Sequence, residues 1–153
     1  VILRLLHPGS AGRGPLSRAA DEYKKRLSRH YRVEEDFLKA TVKKPTPVAL
    51  AEEAERIRGA VRPRQRLVAL AVDGEPWSSE RLAERLAAWM NAGHTGVCFA
   101  LGSAEGLDPT LTREADERWS FGPLTLPHDL ARVVLWEQLY RAGTILRGEP
   151  YHK

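Results

Sequence analysis

The sequence predicts an α/β domain with a mostly parallel sheet flanked by helices. Three observations predict it. Apolar segments alternate along the chain with amphipathic ones. Two of the apolar segments, "RLVALAVDG" from Arg66 and "TGVCFALG" from Thr95, are almost uniformly apolar, as strands buried on both faces are. Between them lies a stretch of clear helical periodicity, so the repeating unit is strand, helix, strand.

Taken in order, residues 1–6, "VILRLL", read as the first strand. From Pro15 to Ser28, Leu16, Ala19, Ala20, Tyr23 and Leu27 recur at helical spacing. Residues 32–40 alternate loosely around Val33, Phe37 and Leu38, which suits a strand near a sheet edge. "KKPTP" is a loop, and a helix from Pro47 or Val48 to about Gly59 follows it, with Thr46 as its cap. "RLVALAVDG" is a strand ended by Asp73-Gly74. In "SSERLAERLAAWMNAG", Ser78 or Ser79 caps a helix whose buried stripe is Leu82, Leu86, Trp89 and Met90, and Gly93 ends it. After "TGVCFALG", a short helix over 110–117 leads into "RWSFG". The last helix opens at Pro127 and His128. Leu130, Val133, Val134, Leu135 and Leu139 leave it apolar most of the way round, so burial or a subunit contact is expected.

The 153 residues suit a single domain over 1–153 with a core of its own. No apolar run reaches the roughly 20 residues needed to span a bilayer. The opening "VILRLLHPG" is short for a secretory signal, so a cytoplasmic location is expected by default. Cys98, the one cysteine, has no partner for a disulfide within the chain. A net charge of +4 permits a nucleic-acid partner, with basic residues dense at 23–32, 43–44 and 62–66. The same clusters also suit solvated helix faces and loops.

Metal and hydrolase chemistry find no motif. The five histidines are scattered without metal-ligand spacing, and Ser103 in "LGSAEG" does not fit a nucleophile elbow. "HPGSAGRGP" lacks the spacing of a phosphate-binding loop and reads as a mobile surface loop, though Arg13 and Arg18 could touch phosphate. Open sheets of this class bind ligands at the carboxyl ends of their strands, which directs attention to the loops after Val72, after Leu101 and around Phe121. "LGSAEGL" fits either a tight turn or a close backbone approach to a ligand. "FGPLTLPHDL" is apolar yet cannot be a regular helix or central strand, because Gly122, Pro123 and Pro127 interrupt it. Its backbone groups need partners, and a ligand is one solution. Beyond it, His128, Arg132, Trp136 and Tyr140 fall four apart along one helix face, and Glu137 can pair with Arg141.

The segment from Leu67 through "GEPWSSERLA", with "LGSAEGL", "SFGPLTLPHDLARVVLWEQLYRA" and the closing "RGEPYHK", resembles the RlmH (YbeA-type) family of SPOUT methyltransferases over the whole chain. That family uses S-adenosyl-L-methionine to methylate N3 of a pseudouridine in the helix 69 loop of 23S ribosomal RNA. The resemblance implies a homodimer with a deep trefoil knot in the C-terminal half. It implies cofactor contacts at Leu70, Gly102, Phe121, Gly122, Pro123, Leu124, Thr125 and Leu126. Catalytic candidates are His128, Arg132, Tyr140 and Arg141 past the cofactor loop, and Tyr151 and His152 in the tail. The tail is placed beside the other subunit's cofactor. His152 or a nearby carboxylate would assist removal of the N3 proton, and Arg132 would steady the base or phosphate. Ser103 departs from the second of two adjacent glycines usual in the family. Lys24, Lys25, Arg29 and "RPRQR" would grip the 23S rRNA of the ribosome. Another RNA such as tRNA as substrate, or a non-catalytic knotted protein that binds RNA or the ribosome, stays open at this point.

Overall fold

A computed structural model describes residues 1–153. The elements run β1 (Ile2–Pro8), α1 (Pro15–Leu27), β2 (Arg32–Leu38), α2 (Thr46–Ala60), β3 (Gln65–Glu75), α3 (Ser79–Asn91), β4 (Gly96–Ala100), α4 (Pro109–Glu114), β5 (Glu117–Trp119) and α5 (His128–Arg147). The five strands form one sheet in the order β2-β1-β4-β3-β5, with every pairing parallel. All carboxyl ends therefore lie along one edge, and β2 sits at a side of the sheet as its loose alternation suggests.

Alternate residues of a strand point to opposite faces, and the core divides accordingly. Leu3, Leu5, Val68, Val97 and Phe99 pack toward α1, α3 and α5 with Leu27, Leu86, Trp89, Leu135 and Trp136. Leu6, Leu67, Ala69, Cys98 and Ala100 pack the other way, with Ala54 and Ile57 of α2 and Leu111 of α4. Helix α5 packs against both α1 and α3. No helix is long and apolar enough to cross a membrane.

Several sequence expectations need correction. Thr46 lies inside α2 and gives no side-chain cap; Pro45 precedes the helix and Pro47 occupies its first turn, so proline geometry starts it. Helix α4 stops at Glu114, because residues 117–119 pair with β3 as a fifth strand. Three residues are too few for periodicity to reveal. Only Leu67, Val68 and Ala69 of β3 are buried, while Val72 is 65% exposed. Met90 is 39% exposed, and Ala83 joins Leu82, Leu86 and Trp89 in the buried stripe of α3. Ser78 does cap α3, accepting from the Arg81 N–H at 3.0 Å.

Candidate functional site

Three loops at the carboxyl edge converge on one cavity of about 590 Å³, a volume typical of small-molecule sites. Leu70 to Val72 of β3 form one wall, and Leu101 to Ala104 with Gly106 form a second. Trp119, Phe121, Gly122 and Leu124 to His128 close the third side. Seven of the eight expected cofactor contacts thus share one cavity. The eighth, Pro123, is exposed and stands outside the lining.

Local chemistry explains each loop. The 101–107 segment turns on itself, with the Gly106 N–H donating to the Ser103 carbonyl at 2.9 Å. A Cβ on Gly102 would lie 2.4 Å from the Gly106 carbonyl, so this position requires glycine. Ser103 faces the cavity without disturbing the turn. The Ser120 hydroxyl donates to the Val72 carbonyl at 2.9 Å and accepts from the Gly122 N–H at 3.0 Å, which ties the β3 and β5 loops together. Gly122 takes φ +109°, open to glycine alone at little cost. The N–H groups of Phe121, Leu124, Thr125 and Leu126 donate to no group of the protein. An apolar cavity edged by free amides suits a ligand with an apolar ring and several acceptor atoms. Trp119, which sequence reasoning missed along with β5, lies in the wall, stacked on Trp77 at 5.3 Å and edge-on to Phe121 at 4.8 Å.

His128, in the first turn of α5, borders the cavity, and its Nδ1 lies 2.8 Å from the Gly102 carbonyl. Its Nε2 lies 2.8 Å from Nδ1 of His7, a residue at the end of β1 with no exposed surface. His7 Nε2 is 3.0 Å from Glu35 of β2. Nothing in the sequence links positions 121 residues apart; the parallel pairing of β1 with β2 and the packing of α5 bring them together. Burial, the largest influence, together with the charges of His128 and Arg132 lowers the His7 pKa below its ordinary value, although Glu35 acts to raise it. Burial would raise the Glu35 pKa, but hydrogen bonds from Arg132, His7 and Lys24 outweigh it and hold the carboxyl well below the usual carboxylate range.

The catalytic candidates separate into three places. His128 is at the cavity. Arg132 is 3% exposed and committed to Glu35 through Nε at 2.6 Å and Nη2 at 2.7 Å, and to Asp21 at 2.8 Å. The face carrying Arg132 and Trp136 therefore points into the molecule, and the Arg132 guanidinium is not available to a base or phosphate. Tyr140, Arg141, Tyr151 and His152 gather at the far end of α5 and are not in the lining of the same chain's cavity. There Glu137 accepts from Arg141 at 2.6 Å, as its spacing suggests, and from the Tyr151 hydroxyl at 2.9 Å. Arg141 lies over the Tyr151 ring at 4.7 Å, and His152 contacts Arg141 at 3.2 Å and Glu80 at 2.8 Å. Burial, with Tyr23 and Glu137 nearby, raises the Tyr151 pKa far above that of a free phenol.

Among the basic clusters, Lys24 pairs with Glu35, Arg62 with Glu34 and Arg66 with Glu117, while Lys25 and Arg29 make no ion pair. The exposed loop after β1 keeps Arg13 free of carboxylates. No group of three or more His, Cys, Asp or Glu residues could hold a metal ion.

Residues 2–152 match a family model described as "Predicted SPOUT methyltransferase". The chain is 42% identical to a ribosomal RNA large subunit methyltransferase H of Chromohalobacter salexigens, over 99% of each chain. Proteins of the same name from Pseudomonas putida, at 40% identity over 99% of each chain, and Anaeromyxobacter dehalogenans, at 42% over 99% of each, are equally similar.

Proposed function

The chain belongs to the SPOUT methyltransferase family, and from that premise we propose that it methylates N3 of a pseudouridine in the helix 69 loop of 23S ribosomal RNA. S-adenosyl-L-methionine is the methyl donor, the working unit is a knotted homodimer, and the ribosome in the cytoplasm is the site of action. The observation that carries the cofactor assignment is the single cavity walled by Leu70, Gly102 and the irregular 121–126 segment with its free amides.

When bound, S-adenosyl-L-methionine supplies an electrophilic methyl group to an in-line nucleophile. The free N–H groups of Phe121, Leu124, Thr125 and Leu126 and the backbone at Leu70 and Gly102 would hold its polar atoms, and Trp119 and Leu126 its apolar parts. The work of the chain is then to orient, to exclude water and to take the N3 proton. A loop base has to be splayed out, stacked and read along its edge. The Tyr140, Arg141, Tyr151 and His152 cluster lies away from its own chain's cavity, so it would serve the cavity of a partner subunit, where Arg141 and Tyr151 could stack on or steady the base and His152 or Glu137 could accept the proton. The exposed side chains of Val72 (65%) and Leu124 (74%) at the cavity mouth suit cover by that partner or by RNA.

Titration calorimetry with S-adenosyl-L-methionine tests the cavity. Binding that Gly102→Ala abolishes is expected; absence of heat with the unaltered protein contradicts the assignment.

A further inference from the structure

The proton count of the buried histidine pair carries an inference that rests on the cavity being the cofactor site. Gly102 offers His128 a carbonyl oxygen and Glu35 offers His7 a carboxylate oxygen, so both ends of the chain of contacts are acceptors. Three contacts of 2.8, 2.8 and 3.0 Å join Gly102, His128, His7 and Glu35. Each needs one proton between its atoms, and the two rings hold three only when the pair carries one positive charge. We propose that His7 is a positioning residue of the methyltransferase site, acting through His128 on the Gly102 carbonyl, and that one proton shared by the two rings sets how firmly the 101–107 loop is held for the cofactor.

When that proton leaves, one of the three contacts has to fail. Leaving a ring lone pair against Glu35 is the worst choice, because a charged acceptor is repelled more strongly than a neutral one and charge-assisted bonds are the stronger ones. Facing two lone pairs between the rings wastes a basic ring nitrogen as acceptor, whereas the amide carbonyl oxygen of Gly102 is the weaker base and loses least. The remaining choice keeps His128 Nε2–H on His7 and His7 Nε2–H on Glu35, and frees the neutral Gly102 carbonyl. Deprotonation therefore releases the cofactor loop.

The groups facing the pair set where this happens. From β2, Glu35 favours the charge and Phe37 packs on His7 at 4.4 Å. From α5, Arg132 opposes it, and from α1, Lys24 and Asp21 meet Glu35 and Arg132. Asp129 lies beside Gly12 of the loop after β1. Burial of His7 is the largest influence on that ring and lowers its pKa below that of a free histidine.

Two measurements on the intact protein test the proposal. Nitrogen-15 NMR of the imidazoles, without cofactor, should show His7 and His128 titrating together as one unit. Calorimetry with S-adenosyl-L-methionine should show affinity falling about three- to tenfold as pH rises through that titration, the worth of about one hydrogen bond. His7→Gln should flatten this dependence, and His128→Asn, which still offers an N–H to Gly102, should bind without it. The cofactor's own ionisation is common to all three proteins and cancels in the comparison. Independent titration of the rings, or a pH dependence unchanged in both variants, overturns the proposal. Absence of cofactor binding at any pH, with the rings still titrating as one unit, overturns the cofactor assignment instead.

Discussion

The Arg132 guanidinium grips Glu35 with two parallel bonds, Nε to Oε2 at 2.6 Å and Nη2 to Oε1 at 2.7 Å, with side chains 4% and 1% exposed. This pair joins α5 to β2 beside α1, whose Asp21 and Lys24 meet it, and Glu35 also contacts His7, the residue behind His128 at the cavity. Removing Arg132 leaves the buried Glu35 carboxylate with only Lys24 and His7 as partners, and breaking a buried pair in this way costs up to about 3–5 kcal/mol. Arg132→Ala is expected to lower stability to urea by that amount, and Arg132→Met with Glu35→Leu by much less. Parallel denaturation curves of the two variants check this.

The same pair predicts acid sensitivity. Glu35 has a folded pKa held below its unfolded value, so its contribution is fully present above the unfolded pKa of about 4.3 and is lost as pH falls through the lower folded value. His7, with its folded pKa also lowered, makes the unfolded state bind more protons below about pH 6.5. Both slopes have the same sign: stability falls with acid. Thermal melts between pH 7 and 3 should show two successive declines, and Glu35→Gln should remove the lower one.

Gly102 and Ser103 are neighbours with opposite tolerance. A Cβ at 102 meets the Gly106 carbonyl at 2.4 Å, whereas Ser103 already carries a side chain into the cavity. Gly102→Ala is expected to abolish detectable cofactor binding with the fold intact, by circular dichroism. Ser103→Gly should change it by less than about threefold, the scale of one modest contact.

These contrasts show what the sequence makes legible. The three site loops follow from uniformly apolar strands and from an apolar stretch broken by Gly122, Pro123 and Pro127, and these are local signals. The resemblance supplied the expected cofactor contacts, seven of which line one cavity. Strand β5 and its Trp119 escaped because three residues carry no periodicity. The His7, Glu35 and Arg132 network escaped because it is assembled by the β1–β2 register and the packing of α5, so no spacing along the chain announces it. For the same reason the sequence, which offered Arg132 to steady the base or phosphate, did not show its commitment to Glu35 and Asp21.

The tail offers a test of the composite site. If Tyr151 and His152 serve a partner's cavity, a Gly102→Ala chain mixed with a His152→Ala chain forms heterodimers holding one complete site. Neither variant alone should turn over, and an equimolar mixture should recover about a quarter of the unaltered activity, because half the dimers are mixed and each has one working site. No recovery on mixing contradicts a shared site, and full single-turnover methylation by His152→Ala removes that histidine from proton transfer.

The central claim is a methyl group on one atom of one ribosomal nucleoside. The protein should be given labelled S-adenosyl-L-methionine with intact ribosomes, free 23S rRNA and tRNA, and the labelled nucleoside mapped. The account predicts label on N3 of a pseudouridine in the helix 69 loop. Label on another nucleoside or on tRNA, or cofactor binding with no transfer to any of the three, would contradict it.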